Sequence, residues 1–124
     1  MSQAIEISVT SKYLGIRQQS QDENVFVFSY TVNIHNVSEQ ALQLMSRYWL
    51  ITNGDGEKVE VKGDGVVGEQ PMIAPNETFS YTSASMLKTS VGTMEGFYYF
   101  SDNTHTEIKI PIPVFSLVVP NSLH

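Results

Sequence analysis

The feature that most constrains the fold is an alternation of apolar and polar residues with a period of two. In "VFVFSYTVNIHNV", which starts at Val25, one side of an extended chain would carry aromatic and branched side chains, and the other side would carry polar ones. The apolar set is Phe26, Phe28, Tyr30, Val32 and Ile34, and the polar set is Ser29, Thr31, Asn33 and His35. This pattern is typical of a half-buried β-strand.

Similar runs recur along the chain and are separated by turn signals. They are "AIEISV", "LQLMSRYWLIT", "EKVEV", "ETFSYTS", "GTMEGFYYF" and "TEIKIPIPVFSLVV". The segment "NGDG" between two of these runs is a strong hairpin signal, and no amphipathic helical stretch of useful length interrupts the series. We predict a single all-β domain over residues 1–124, an immunoglobulin-like or fibronectin type III-like antiparallel β-sandwich of seven or eight strands. Pro111 and Pro113 place the last strand at a sheet edge, or mark a strand that switches sheets.

The third run is apolar on both sides, so the face that enters the core has to be chosen. Leu44 falls on one side and Trp49 with Ile51 on the other, and we assign Trp49 and Ile51 to the core. Arg47 then shares their side and needs a carboxylate or several backbone carbonyls. The predicted core also contains Tyr98 and Phe100, whose spacing resembles the tyrosine corner and second cysteine of immunoglobulin domains, with Phe100 filling the volume of the missing disulfide.

The segment "GDGVVG" matches the G-x-G-x-x-G pattern of nucleotide-phosphate loops. In a dinucleotide fold this pattern follows a strand and opens a helix, but the "EQPMIAP" that follows here is incompatible with a helix. Asp64 and Glu69 would also repel an anion. We therefore predict that the glycines serve turns and close backbone approach in a crossing between the sheets, and that the two valines pack or present apolar surface. The alternative is a binding loop for an anion or a partner, formed by Gly63, Gly65, Val66, Val67 and Gly68.

The charge balance argues against several classes of partner. The net charge is −6, and we find no basic patch that would suit nucleic acid or an anionic membrane surface. The chain has no cysteine, which fits a reducing compartment. No apolar run approaches the about 20 residues of a spanning helix, and the N-terminus lacks a signal-peptide block. We expect a cytoplasmic protein without nucleic-acid or membrane partners.

The candidate metal ligands and nucleophiles form no recognisable constellation. The histidines are His35, His105 and His124, and their spacing resembles no zinc or non-haem iron set. The turn "SDNTHTE" offers Asp102, Asn103, His105 and Glu107, which could hold a divalent ion weakly, but a solvated turn is the preferred interpretation. No serine or threonine is paired with a histidine in a recognisable arrangement. We predict no catalytic residue, no metal site and no cofactor.

The best candidate for an interaction surface is a set of outward aromatic residues. Phe97 and Tyr99 lie on the side of their strand opposite Tyr98, and "SASMLKTSVG" could expose Met86 and Leu87. Such residues suit an unidentified protein partner or a homodimer. The alternative is that loops or the other sheet cover them.

Several motifs taken together resemble the bacterial ApaG family over nearly the whole chain. They are S-R-x-W-x-I at Ser46 to Ile51, G-x-G-V-V-G-x-x-P-x-I-x-P-G-E-x-F-x-Y-T-S from Gly63 to Ser83, G-x-M-x-G-x-Y from Gly92 to Tyr98, and I-P-x-F-x-L from Ile112 to Leu117. Asn76 departs from the glycine of the P-G-E element, and asparagine tolerates the positive φ of such a turn. Phe100 stands where methionine is common.

The resemblance implies a fibronectin type III-like sandwich and says less about activity. The family, also called CorD, is associated with cobalt and magnesium resistance and efflux, and related domains in larger eukaryotic proteins bind other proteins. It supplies no established catalytic residues. We expect a non-catalytic protein-interaction domain. The runner-up is a small-anion or nucleotide (pyrophosphate-type) binder at Gly63–Gly68, and an enzyme acting on a phosphorylated substrate comes third.

Overall fold

Eight β-strands make up the computed structural model, which describes residues 4–121. They are β1 (Ile5–Ser20), β2 (Glu23–Asn36), β3 (Leu42–Asn53), β4 (Lys58–Asp64), β5 (Met72–Ile73), β6 (Thr78–Leu87), β7 (Val91–Ser101) and β8 (Glu107–Val118). Over this described range the chain contains no helix that is long and apolar enough to cross a bilayer.

The strands form two antiparallel sheets, which confirms the predicted β-sandwich. One sheet has the order β1-β2-β6, and the other has the order β4-β3-β7-β8 with β5 paired to β3. Strand β8 stays at the edge of the larger sheet, so Pro111 and Pro113 mark an edge strand and not a change of sheet. The "NGDG" segment closes the β3–β4 hairpin, where Gly56 donates to the carbonyl of Asn53.

The core lies between the sheets and is built from the inward residues of the alternating runs. Trp49 is 2 % exposed, and Tyr98 and Phe100 are fully buried, as the alternation predicts. The rings of Trp49 and Tyr98 meet edge to face with centroids 6.2 Å apart, and those of Tyr98 and Phe100 do so at 6.4 Å. Ile51 is partly buried against the same cluster.

A β-bulge in β3 explains why this strand is apolar on both sides. Leu44 pairs with Phe100 while Ser46 pairs with Tyr99, so one extra residue enters β3 between them. The bulge turns the strand over, and both Leu44 and Trp49 reach the core. The prediction of strict alternation through β3 is therefore wrong at Leu44, although it is right at Trp49.

The buried hydroxyl of Tyr98 does not make the bond expected of a tyrosine corner. It is hydrogen-bonded to the hydroxyl of Tyr81, which comes from β6 in the facing sheet. The interpretation as a tyrosine corner, whose hydroxyl bonds to backbone nearby in sequence, is wrong in this respect. Burial raises the pKa of Tyr81 to about 12, and burial together with the neighbouring Tyr81 raises the pKa of Tyr98 further.

Candidate functional site

The "GDGVVG" segment ends β4 and continues into a tight hairpin turn. Val66 N donates to Glu69 O at 2.8 Å, and Glu69 N donates back to Val66 O at 2.9 Å. The two residues between them, Val67 and Gly68, have φ of 43° and 80°. Positive φ at both central positions is the mark of a type I′ turn. No helix follows Gly68 within the described chain, as predicted.

Each glycine of the motif has a structural reason to be glycine. A Cβ at Gly63 would lie 2.9 Å from the guanidinium of Arg47, and a Cβ at Gly65 would lie 2.0 Å from Glu69 O. Gly68 occupies the turn position with positive φ. The motif is therefore explained by backbone angles and close packing.

Arg47 has the hydrogen-bond acceptors that the sequence analysis requires for a charge on the core side of β3. It is partly buried, and Nη1 donates to Gly65 O at 2.9 Å and to Asp64 O at 3.2 Å. Backbone carbonyls therefore satisfy this guanidinium, and the absence of a side chain at Gly63 gives it room.

The amide donors of the loop are directed at the protein itself. Gly65 N donates to Met45 O at 2.8 Å, and the amides of Val66 and Glu69 close the turn. A phosphate cradle needs several such N–H groups converging on empty space. In this loop at least three N–H groups donate to backbone carbonyls instead, one of them in β3.

The loop does not itself cross between the sheets, which corrects the sequence-based interpretation. The chain after Gly68 returns to the larger sheet as β5, and the crossing comes at the turn 74–77 that precedes β6. In that turn Glu77 N donates to Ala74 O at 3.0 Å, and Asn76 has φ of 66°. Asn76 therefore adopts the left-handed conformation at the position where the P-G-E element of the motif has glycine.

Three aromatic residues on the outer side of the larger sheet form a surface that we call the aromatic face: Tyr48 of β3, and Phe97 and Tyr99 of β7. Tyr48 pairs directly with Phe97, and their rings stack with centroids 6.3 Å apart and planes at 28°. All three side chains are partly exposed. Successive side chains of a strand point to opposite faces. After the bulge Trp49 points inward, so its neighbour Tyr48 points outward.

Charged side chains border the aromatic face. Lys109 Nζ lies 4.0 Å from the ring centroid of Phe97, and Lys62 Nζ lies 5.8 Å from that of Tyr48. Tyr48 also donates its hydroxyl hydrogen to Glu60 Oε2 at 2.7 Å. This hydrogen bond raises the pKa of Tyr48, because ionisation would place a negative charge beside the carboxylate.

The outer side of the smaller sheet has a different character. Its side chains are short and polar and are bonded to one another across the strands. Ser80 Oγ donates to Asn33 Oδ1 at 2.6 Å, and the hydroxyls of Thr31 and Thr82 lie 2.8 Å apart. The two outer faces of the sandwich thus differ. On the smaller sheet polar side chains hydrogen-bond to one another, and on the larger sheet aromatic rings are partly exposed.

The sequence identified only part of this surface. Phe97 and Tyr99 were expected to point outward, and they do. Met86 is also exposed, but Leu87 is buried, so the prediction that Leu87 could be exposed is wrong. The contact of Tyr48 with Phe97 depends on the register between β3 and β7, which no local pattern in the sequence indicates.

In the turn "SDNTHTE" the carboxylate of Asp102 accepts hydrogen bonds from other residues of the same turn. Asp102 Oδ1 accepts hydrogen bonds from Thr104 N and Thr106 N, each at 2.9 Å, and from Thr104 Oγ1 at 2.8 Å. These bonds, that from Thr106 above all, lower the pKa of Asp102. Elsewhere, His35 Nδ1 lies 2.9 Å from Thr78 Oγ1.

Residues 4–121 contain no group of three or more His, Cys, Asp or Glu side chains that could hold a metal ion. His124 falls outside this range.

Fold and surface together define a class of protein: an all-β sandwich whose most distinctive surface is an aromatic sheet face, with a glycine-rich loop that serves as a turn. The sequence profile of the ApaG domain matches residues 16–102 of the chain. The chain therefore belongs to the ApaG domain family.

Relatives and solved structures agree with this assignment. The chain is 46% identical to Protein ApaG of Pectobacterium atrosepticum over 125 residues, covering 100% of both chains, and 48% identical to Protein ApaG of an Escherichia coli strain over 118 residues, covering 95% of this chain and 94% of the relative. Its fold is similar to an X-ray structure of a Northeast Structural Genomics Consortium target, with a TM-score of 0.93, 39% identity and coverage of 98% of this chain and 91% of that one. It is also similar to the crystal structure of the putative ApaA protein from Bordetella pertussis, with a TM-score of 0.84, 38% identity and coverage of 95% of each chain.

Proposed function

We propose that this protein is a non-catalytic, cytoplasmic interaction domain that binds a protein partner through the aromatic face. One observation carries the proposal: Tyr48, Phe97 and Tyr99 form an outward cluster on a sheet whose inward side already supplies a complete core. The rings are not needed to close the fold. Contiguous aromatic surface is enriched at protein interfaces, where such side chains supply much of the binding energy.

The shape of the aromatic face suits the binding of an apolar side chain from a partner protein. Tyr48 stands between two shallow cavities, one bordered by Lys62 and Tyr99 and the other by Leu50 and Pro111. A side chain of the partner can enter either cavity and pack against the ring of Tyr48. Lysine and glutamate side chains at the border, among them Lys109 and Glu95, provide charge for orientation and selectivity.

The competing interpretation, pyrophosphate binding at Gly63–Gly68, finds less support. The amides of Gly65, Val66 and Glu69 are bonded to backbone carbonyls, and Asp64 with Glu69 keeps the local charge negative. In our proposal, a link to cobalt or magnesium resistance runs through the partner and does not require a metal bound to this domain.

Quantitative affinity purification with matched variants tests the proposal. Wild-type protein is compared with Phe97→Ala/Tyr99→Ala on the aromatic face and with Thr31→Ala/Thr82→Ala on the opposite polar face. We expect a partner that is retained by wild type and the polar-face variant but lost from the aromatic-face variant. With the purified partner, the aromatic-face variant should lose about 2 kcal/mol or more of binding free energy, as hot-spot aromatics do.

Light scattering on the purified protein tests whether the partner is a second copy of the chain. A dimer that dissociates in Phe97→Ala/Tyr99→Ala but not in the polar-face variant would identify the aromatic face as a homodimer interface. A folded aromatic-face variant that keeps every wild-type partner with unchanged affinity would contradict the proposal.

A further inference from the structure

A groove runs along one open side of the sandwich, between the edges of β4 and β6. Strand β4 ends the larger sheet and β6 ends the smaller one. Val61 pairs with Trp49 and Val59 pairs with Ile51, so both valines lie on the core side of β4. Even so, Val61 is 37 % exposed and Val59 is 58 % exposed. The two sheets therefore stay apart here and leave apolar core-side surface open.

Small side chains on the facing edge leave a cavity in this groove. Ser83 pairs with Tyr30, and Ser85 with Phe28, which places both serines on the core side of β6. The space between them and Trp49 has a volume of about 240 Å³. An apolar protein cavity of roughly 150 Å³ accommodates benzene. A small organic molecule can therefore fit in this space.

The polar groups that line the cavity have spare donor capacity, and one of them is cationic. Arg47 is held by the carbonyls of Asp64 and Gly65, but among residues 4–121 no carboxylate pairs with it. The hydroxyls of Ser83 and Ser85 make no hydrogen bond within the same range. Trp49 also lines the cavity, and its buried Nε1 has no acceptor among residues 4–121. Buried donors without acceptors are rare and call for an explanation.

We propose that this groove binds a small carboxylate carried on a short aliphatic stem. Arg47 offers a charge-assisted hydrogen bond to the carboxylate, and the serine hydroxyls can donate beside it. The stem packs against the apolar wall formed by Ile51, Val61 and Met94. A dianionic phosphate fits less well because, of the residues that the structure describes, no cation besides Arg47 lines this cavity. The site lies on the core side of β3 and β4, and it shares Arg47 with the shallow cavity beside Lys62 and Tyr99 on their outer side.

The single tryptophan makes the test direct. Trp49 is the only one in the chain, so its indole N–H gives one resolved signal in a spectrum of 15N-labelled protein. Hexanoate, hexanol, hexylamine and acetate are titrated at constant pH and ionic strength. We expect hexanoate to shift the indole signal saturably, with a dissociation constant of about 1 mM for a ligand of this size. Hexanol should bind about tenfold more weakly, and acetate and hexylamine should give no saturable shift.

Two variants separate binding from folding effects. Arg47→Gln removes the charge and should weaken hexanoate binding by about tenfold or more. Because Arg47 also holds two loop carbonyls, Ser83→Val provides a second test that keeps the charge and fills the cavity, and it should abolish the shift. The matched control is Ser80→Val on the outward side of the same strand, which should leave the dissociation constant unchanged.

Three results would overturn the proposal: no saturable indole shift with hexanoate, equal affinities for hexanoate and hexanol, or unchanged hexanoate binding in Ser83→Val.

Discussion

At the scale of single residues, the Tyr81–Tyr98 pair is the least ordinary chemistry in the core. Two hydroxyls from opposite sheets share one hydrogen bond between buried side chains. The neutral forms suit this environment, since ionising either group would place a charge in the apolar core. Both pKa values are raised for this reason, that of Tyr81 to about 12. The pair therefore links folding stability to alkaline pH.

We predict that stability falls as the pH rises above about 10, the ordinary pKa of tyrosine. A raised pKa means that the folded state binds more protons than the unfolded state above this pH, so the free energy of unfolding decreases with pH there. The contribution of Tyr81 is fully present below about pH 10 and is lost as the pH rises through about 12.

Denaturant unfolding at several pH values, followed together with tyrosinate absorbance, measures this effect. The hydroxyls of Tyr81 and Tyr98 should ionise well above pH 10, together with the loss of stability. If both ionise near pH 10 while the protein stays folded, the buried pair does not exist in solution.

At the scale of elements, the type I′ turn at Val67–Gly68 combines good geometry with an unfavourable residue. Val67 has φ of 43° and is branched at Cβ, which makes this conformation costly. Its side chain is also 60 % exposed, so it gains little from packing. Asn-Gly is the sequence that type I′ turns favour. The turn is therefore less stable than the same type I′ turn would be with asparagine in place of Val67.

We predict that Val67→Asn raises the free energy of unfolding by about 1 kcal/mol, because it relieves the strained backbone. Val114→Asn is the matched control, since Val114 is similarly exposed but has no positive φ. It should be neutral or destabilising, because asparagine is disfavoured in strands. Chemical denaturation of the three proteins decides the matter, and equal effects of the two substitutions would show that Val67 is not strained.

These elements also show how far the sequence could be interpreted. Alternation predicted the inward sides of β6 and β7, and of β2 from Phe28 onwards, because these segments keep one face towards the core. At the start of β2, Val25 is buried and Phe26 is only partly buried. Alternation failed within β3, where one bulged residue reverses the pattern between Leu44 and Trp49. The glycines of "GDGVVG" were correctly attributed to backbone needs, but the place where the chain crosses between sheets was not found. That crossing depends on β5 pairing with β3, a contact between distant segments.

The candidate sites needed information that a single sequence does not carry. Phe97 and Tyr99 were found because they alternate with buried neighbours. Asn36 was missed, although it is fully buried and its side chain donates to Gln40 O and Ile73 O at 2.9 Å each. The sequence indicates only that Ser83 belongs to an alternating run. That its small side chain lines a groove follows from the position of β4 opposite β6, which the sequence does not indicate.

At the scale of the whole molecule, Trp49 joins the two sheets. Its ring meets Tyr30 from the smaller sheet with centroids 5.4 Å apart, and meets Tyr98 and Phe115 from the larger sheet at 6.2 and 5.8 Å. Every contact is edge to face. Removing this ring should therefore weaken the packing of one sheet on the other and not a local element alone.

We predict that Trp49→Ala lowers the free energy of unfolding by about 3–5 kcal/mol, the range for large aromatic truncations in cores. Phe97→Ala, on the outer side of the same sheet, should cost about 1 kcal/mol because its ring is only partly buried. Circular dichroism during urea unfolding compares the two variants. Similar losses for both would mean that the aromatic face is as much a part of the core as Trp49.

The edge strands of the larger sheet carry a further consequence for how the protein behaves when concentrated. Strand β8 contains Pro111 and Pro113, which cannot donate ladder hydrogen bonds, and β4 carries Lys58, Glu60 and Lys62 on its outer side. Both features hinder another chain from adding its own strand. The larger sheet can thus present rings on its outer face and border an open groove while its own two edges resist edge-to-edge polymerisation into fibrils.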